Sequence, residues 1–307
     1  MGLGHQTDLI LTKKERRNKN MQAIFKREFK SYFHTMTGTI FLAVLLAFTG
    51  IFFVSYNLFQ GYPYFSASLS SVTIVLLLLV PILTMRSFAE EKRLKTDQLL
   101  LTSPVSVTQI VFGKYLSMAA VFGICCLIMF LGPVLIHFYG GGAFLADSVA
   151  IIEFFLLGAA YIAIGMFISS LTENQVIAAV GTFAILLVLQ LADSMSDLLP
   201  ATAFGSFVCF FALVVAAVLL LYFLTKNVLI SCGAGIVGIA ALTAAYFLKQ
   251  SAFEGLFGSL FTSLSLVARF DAITRQSFEV SAVVYFVTVA ALFIFLTVQS
   301  IQKRRWS

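Results

Sequence analysis

Charge is scarce in this chain. Of its 307 residues only 11% are Asp, Glu, Lys or Arg, while 60% are hydrophobic and 33 are Phe. With a mean hydropathy of +0.99, so apolar a chain cannot hide its surface in one aqueous core, which excludes a soluble domain and points to a polytopic membrane protein. The few potential ligand residues are scattered. Cys125, Cys126, Cys209 and Cys232 all fall inside apolar runs without metal or disulfide spacing, and read as packing residues. His34 and His137 lie at span edges with no second ligand nearby, and no Ser-His-Asp set, H-E-x-x-H or facing carboxylate pair occurs. A membrane-embedded enzyme is therefore disfavoured.

A phosphate cradle is also missing. No G-x-x-x-x-G-K-[S/T] run exists, and Gly113-Lys114-Tyr115 lacks both the upstream glycine and the hydroxyl. Gly233, Gly235 and Gly238 have G-x-G-x-x-G spacing, but they sit inside an apolar run with no strand before it, so close helix packing explains them. Any nucleotide-derived energy has to come from another chain.

What the sequence does contain is long apolar runs. A bilayer core of about 30 Å needs about 20 helical residues, and eight segments approach that length, near 39–59, 69–85, 115–138, 149–170, 175–192, 203–224, 229–248 and 282–301. Gly61-Tyr62-Pro63, Gly140-Gly141-Gly142, Leu199-Pro200 and Thr225-Lys226-Asn227 punctuate them. The fold expected is all-α, with about eight crossings forming a single domain over 21–307. Residues 1–20 are polar, carry KKERRNK and read as a disordered tail outside that domain, with Met21 a second candidate start.

Charge orients the bundle. With both termini on the cytoplasmic side, every one of the 20 basic residues except Lys249, Arg269 and Arg275 falls on that side. The net charge of +6 is thus a topology signal and a contact with anionic membrane lipids, not a nucleic-acid footprint. Before the first span, Phe25, Phe29, Tyr32, Phe33 and Met36 recur at helical spacing opposite Lys26, Arg27 and Lys30, as in a helix lying in the head-group plane. It serves as a plain anchor or as an elbow bracing the bundle against a partner. On the outer side Phe253, Leu256, Phe257, Leu260, Phe261, Leu264 and Val267 form a second stripe, which reads as interfacial packing or as a gate. Glu153, near the outer end of the fourth span, either reaches the interface or marks a pathway. Glu173, in the turn before the fifth span, reads as a helix cap.

The polar stretch Arg86–Thr108 interrupts this apolar pattern. Ser87 and Glu90 have capping-box spacing, Glu91/Lys95 and Arg93/Asp97 are i,i+4 pairs, Pro104 stops the helix, and Ser106 and Gln109 form a second box. The stretch reads as a bounded cytoplasmic helix, against the alternative of a solvated loop.

These residues, in this order, resemble a known family. The basic amphipathic helix is followed by Glu90-Glu91-Lys92-Arg93 through Thr96, by Leu99 to Val105, by Gly113-Lys114, by Ile168 to Gln175, by Ala268 to Arg275 and by Lys303-Arg304-Arg305-Trp306. Over 21–307 the chain looks like the membrane subunit of type 2 ATP-binding-cassette (ABC) exporters, similar to gliding-motility-type permeases of the bacterial cytoplasmic membrane. The resemblance implies a coupling helix near 87–103 that docks on a separate ATPase, with Glu90, Glu91, Arg93, Thr96, Asp97, Leu100 and Pro104 as contact residues. It further implies a dimer of permeases, with ATP and Mg²⁺ held by the ATPase and no cofactor or metal in this chain. Glu153, Phe257 and Phe261 are carried as pathway or gate candidates. Where the family commonly has Gly-Thr-Leu-Glu, this chain has Lys95-Thr96-Asp97-Gln98, which suggests a more continuous helix. An ion-driven secondary transporter would need midplane ionisable groups and broken helices, and a non-transporting scaffold would need no bounded cytoplasmic helix. Both remain open.

Overall fold

A computed structural model describes residues 21–96, 105–139, 143–198, 202–225, 228–248, 253–274 and 280–306, and among them every regular element is helical. In chain order these are α1 (21–34), α2 (Thr37–Phe53), α3 (Ser66–Thr84), α4 (Ala89–Arg93), α5 (Val107–Met129), α6 (Leu131–Phe138), α7 (Phe144–Leu171), α8 (Gln175–Leu198), α9 (Ala203–Thr225), α10 (Val228–Leu248), α11 (Leu256–Leu264), α12 (Leu266–Thr274) and α13 (Val280–Trp306). Among the described residues 6 helices are long and apolar enough to cross a membrane: Thr37–Phe59, Ser66–Arg93, Val107–Phe138, Phe144–Leu171, Gln175–Ala192 and Val280–Arg304. Helices α9 and α10 occupy the segments expected as the sixth and seventh crossings. The chain is an all-α, multi-pass membrane protein.

The helices fall into two compact units, 1–187 with 269–307, and Val188–Ala268. In the first, α7 is the central element. Its apolar window is 72% buried, whereas that of α2 is 22% buried, so α2 lies at the periphery. Helix α7 packs against α3, α5 and α13. Burial alone does not drive helices together in lipid, and small residues that admit close approach take over that role. The run Leu157-Gly-Ala-Ala-Tyr-Ile-Ala-Ile-Gly165 supplies them. A Cβ on Gly158 would lie 2.2 Å from the Phe122 ring, and one on Gly165 would lie 2.3 Å from Thr84 Oγ1. Phe122 fills the gap left by Gly158, packing edge-on to Phe41 at 6.2 Å and stacking on Phe155 at 5.9 Å.

Helix ends in this unit are closed by side chains from distant helices. The first amides of a helix lack intrahelical partners, and those starting α3 donate to Asp147 Oδ1, from Phe65 at 2.9 Å and Ser66 at 3.4 Å. Asp147 sits in the first turn of α7. At the other end of α7, Ser169 Oγ accepts from the Phe88 and Ala89 amides, both at 3.1 Å, and donates to the Met85 carbonyl. Helix α7 therefore braces the α3–α4 segment at both extremities. Between α2 and α3 the helix widens into a π-helical turn, Val54–Phe59. There Asn57 donates to the Tyr62 and Tyr64 carbonyls and accepts from Ser68. Pro133, which cannot donate, sits just beyond the α5–α6 break at Phe130.

Glu173 does not cap α8. Asn174 does, its side chain accepting from the Val176 amide at 2.9 Å, while Glu173 forms an ion pair with Arg304 of α13. The end of α13 thus returns to the end of unit one that holds α1 and α4. Lys26, Arg27, Lys30, Arg86, Lys92, Arg93 and Lys114 share that end, which the positive-inside rule places in the cytoplasm.

In the second unit α9 packs against α10, with Phe207 and Tyr246 rings 4.8 Å apart and Gly235 seated on Val218. The glycine triplet of α10 therefore lies in a helix, where Gly235 packs closely while Gly233 has nothing within 4 Å of an added Cβ. The apolar stripe expected to run unbroken through 253–267 does not. It opens at Gly255, in the left-handed region at φ 65, and breaks at Ser265, whose hydroxyl accepts from the Ala268 amide at 3.1 Å and starts a new helix.

Replacing Gly165 by Ala forces Thr84 aside, and overpacking of this kind costs about 1–3 kcal/mol. Gly50, with nothing within 4 Å of an added Cβ, is the matched control. Thermal unfolding in detergent should show a lower Tm for Gly165→Ala and an unchanged one for Gly50→Ala.

Candidate functional site

The cytoplasmic end of the first unit is built around one lysine. Lys114 begins the third turn of α5, an otherwise apolar helix, and is 2% exposed. A buried ammonium needs opposite charge and hydrogen bonds around it. Glu91 of α4 supplies one oxygen at 2.8 Å and Glu28 of α1 another at 3.3 Å. Arg27 closes the group, 2.6 Å from Glu28 and 3.6 Å from Glu91. Burial alone would push the Glu28 carboxyl up, but Lys114 and Arg27 beside it hold it below the usual carboxylate range.

Helix α1 reaches this cluster because it carries separate stripes. Ile24, Glu28 and Tyr32, spaced i, i+4, i+8, face the bundle, with Ile24 and Tyr32 at 8% and 7% exposure. Ile24 seats on Gly113, where an added Cβ would meet its Cγ2 at 2.8 Å. The adjoining stripe of Phe25, Phe29 and Phe33 stacks on itself at 5.7 and 5.1 Å and leaves Phe33 exposed. Lys26 and Lys30 are exposed. Of the two readings of α1, the bracing elbow accounts for its contact with α4 through Glu28, Lys114 and Glu91.

Helix α4 is shorter than the expected helix near 87–103. It spans five residues and starts at Phe88 without a local side-chain cap. The Ser87–Glu90 capping box does not form, because Ser87 is buried in the turn after α3 and Ser169 takes the capping role from outside. The Ser106–Gln109 box does form. The expected Glu91–Lys95 pair is absent, since Glu91 turns inward to Lys114; the i,i+4 pair observed is Arg86–Glu90 at 3.7 Å.

Nor is the helix more continuous at Lys95. Lys95 has φ 56, in the left-handed region. The Thr96 amide donates to the Glu91 carbonyl at 3.0 Å and the Lys95 amide to the Lys92 carbonyl at 3.1 Å. That pair of bonds is a Schellman stop with lysine where glycine is the usual residue. The conformation the family glycine would supply is kept although the residue is not.

The contact residues carried from the sequence divide accordingly. Glu91 anchors the segment from behind, half-buried Glu90 pairs with Arg86, and Arg93 and Thr96 are exposed beside Leu94, which is 60% exposed. Asp97, Leu100 and Pro104, like the Arg93–Asp97 pair, lie outside the described residues. A cavity of about 660 Å³ lies beside the segment, lined by Glu28, Arg86, Glu91 and Lys114 and also by Leu94 and Thr96. Glu153 is fully buried within the first unit. In the second unit Phe257 is buried, 5.1 Å from Phe210 and 5.3 Å from Phe261. Residue patterns failed to find Lys114 and Ser169. The available signal for Lys114 was a lone cation in an apolar helix, which requires a partner.

Comparison with known proteins gives one match. A family model described as ABC-2 family transporter protein matches residues 10–200, a span that holds α1 to α8 and the whole Lys114 cluster. No curated protein and no solved structure matches the chain.

Changing Lys114 to Met removes the buried cation between Glu28 and Glu91 and leaves them the half-exposed Arg27, a loss of about 3 kcal/mol or more. The triple variant Lys114→Met, Glu28→Gln, Glu91→Gln should recover most of it, read as Tm in the same detergent. Glycine carries no Cβ penalty at φ 56, so Lys95→Gly should stabilise the protein by about 1 kcal/mol, read as Tm or C_m.

Proposed function

This chain belongs to the ABC-2 transporter family, and we propose that it is an export permease whose ATPase partner docks on the exposed segment beginning at α4. As a member of that family it is a membrane-embedded transport subunit. The observation that carries the docking reading is the construction of α4. Three distant elements hold so short a helix, through Ser169, Lys114 and Arg27, and Lys92 donates to the Ser170 carbonyl. Its far side offers Arg93, Leu94 and Thr96 to the cytoplasm. A segment that served only to connect two crossings would need no such bracing.

In this reading ATP and Mg²⁺ sit on the partner, and a second permease, either a copy of this chain or a paralogue, completes the pathway. Closure of the ATPases pushes on residues 93–104, and the push passes to α7 through Ser169 and to α1 through the Lys114 cluster. Arg93, Thr96, Asp97, Leu100 and Pro104 act as contacts, with Leu94 added as an apolar anchor. Glu91 serves from the rear by holding the segment in place.

Co-expression with P-loop ATPases, followed by affinity capture of this chain in detergent, tests the proposal. One ATPase should co-purify with the unchanged protein. Paired substitution Arg93→Glu and Leu94→Asp should reduce the captured ATPase about tenfold or more, as for loss of an interface hot spot, with Tm unchanged because both side chains are exposed. Undiminished capture by the pair, or no ATPase with the unchanged chain, overturns it.

A further inference from the structure

A second cavity, of about 730 Å³, opens on the side of the first unit where α1, α5 and α7 meet. Its wall is almost wholly apolar. Phe25 of α1, Ala120, Gly123 and Leu127 of α5, and Ile152 and Phe155 of α7 line it. The lining runs along α5 from Leu116 to Phe130. At 1.5 Å per residue that is about 21 Å, more than one leaflet of a hydrocarbon core about 30 Å thick. Ala120 and Gly123 leave room in the groove, and Leu116, Leu127 and Ile152 of its lining are exposed.

Its mouth differs in chemistry. Gln22 lines the cytoplasmic end, and Lys26 and Lys30 follow it at i+4 and i+8 on α1, both exposed. A long apolar slot under a row of cations complements a molecule with an anionic head and a hydrocarbon tail. We propose that this groove binds an anionic glycerophospholipid of the cytoplasmic leaflet, one acyl chain lying on Ala120 and Gly123 and the phosphate at the Gln22–Lys26–Lys30 row. The lipid would fill the wedge between α1 and the bundle on the side opposite the Lys114 cluster, so that the elbow is held by ion pairs on one flank and by lipid on the other. The site does not depend on the ATPase reading.

The test is native mass spectrometry of the full chain released from nanodiscs of equal phosphatidylglycerol and phosphatidylcholine. The unchanged protein should retain phosphatidylglycerol about tenfold over phosphatidylcholine, in keeping with the attraction of a few basic residues for anionic lipid. Lys26→Gln with Lys30→Gln should bring the ratio down roughly fivefold while total retained lipid stays constant. Ala120→Trp, or Ile152→Trp if the first fails to fold, should abolish retention of either lipid by filling the slot, with circular dichroism unchanged. Equal retention of both lipids by the unchanged protein overturns the proposal, as does full retention by the tryptophan variant. If the tryptophan variant instead turns a dimer into a monomer with lipid retained, the groove is a contact between copies and the lipid site is rejected.

Discussion

The ammonium of Lys114, enclosed between the carboxylates of Glu28 and Glu91, joins elements that the chain separates by long intervals. Each of the three charges would be costly to bury alone, and each is tolerated because the others are present. Their mutual dependence fixes the azimuth of α1, since only one edge of that helix carries both the glutamate and the apolar pair Ile24 and Tyr32 that seats on the bundle. It fixes α4 as well, a helix too short to hold its own shape. Arg27 then balances the second carboxylate, so the cluster carries two charges of each sign.

The same logic of shared polar groups governs the ends of α7. Near a membrane, water is a poor source of partners for unpaired amides, and satisfaction has to come from protein. Asp147 answers for α3 at one end and Ser169 for α4 at the other. Between them Gly158 and Gly165 let α5 and α3 close to contact distances that any side chain would forbid. The polar ends set the register between helices, and the small residues set their separation.

How much of this could be read from residues depended on how local the determining interaction is. The apolar runs, their Gly and Pro interruptions and the Ser106–Gln109 box were legible because each is decided within a few positions. The Ser87 box failed because its competitor, Ser169, is 82 positions away in sequence and close only after folding. Lys95 misled because propensity disfavours a left-handed lysine by only about 1–2 kcal/mol, an amount that the surrounding bonds of α4 offset. Glu173 pointed toward a cap because acid at a helix start is ordinarily favourable, yet Arg304 from the far end of the chain claims it and leaves capping to Asn174. For the segment that begins at α4, sequence located the polar interruption but not which of its described residues face inward.

The pinning of α3 to α7 at two points has a mechanical meaning. With one clasp at Phe65 and Asp147, a second at Phe88 and Ser169, and Thr84 lodged against Gly165 between them, α7 holds the α3–α4 segment along its length, across Pro81 and the turn at 85–88. Among the described residues the helical path is interrupted elsewhere, at the left-handed Met36 between α1 and α2 and at Phe130 between α5 and α6. A displacement of α4 would therefore pass into α7 through Ser169 and reach the start of α3 through Asp147 at its other end.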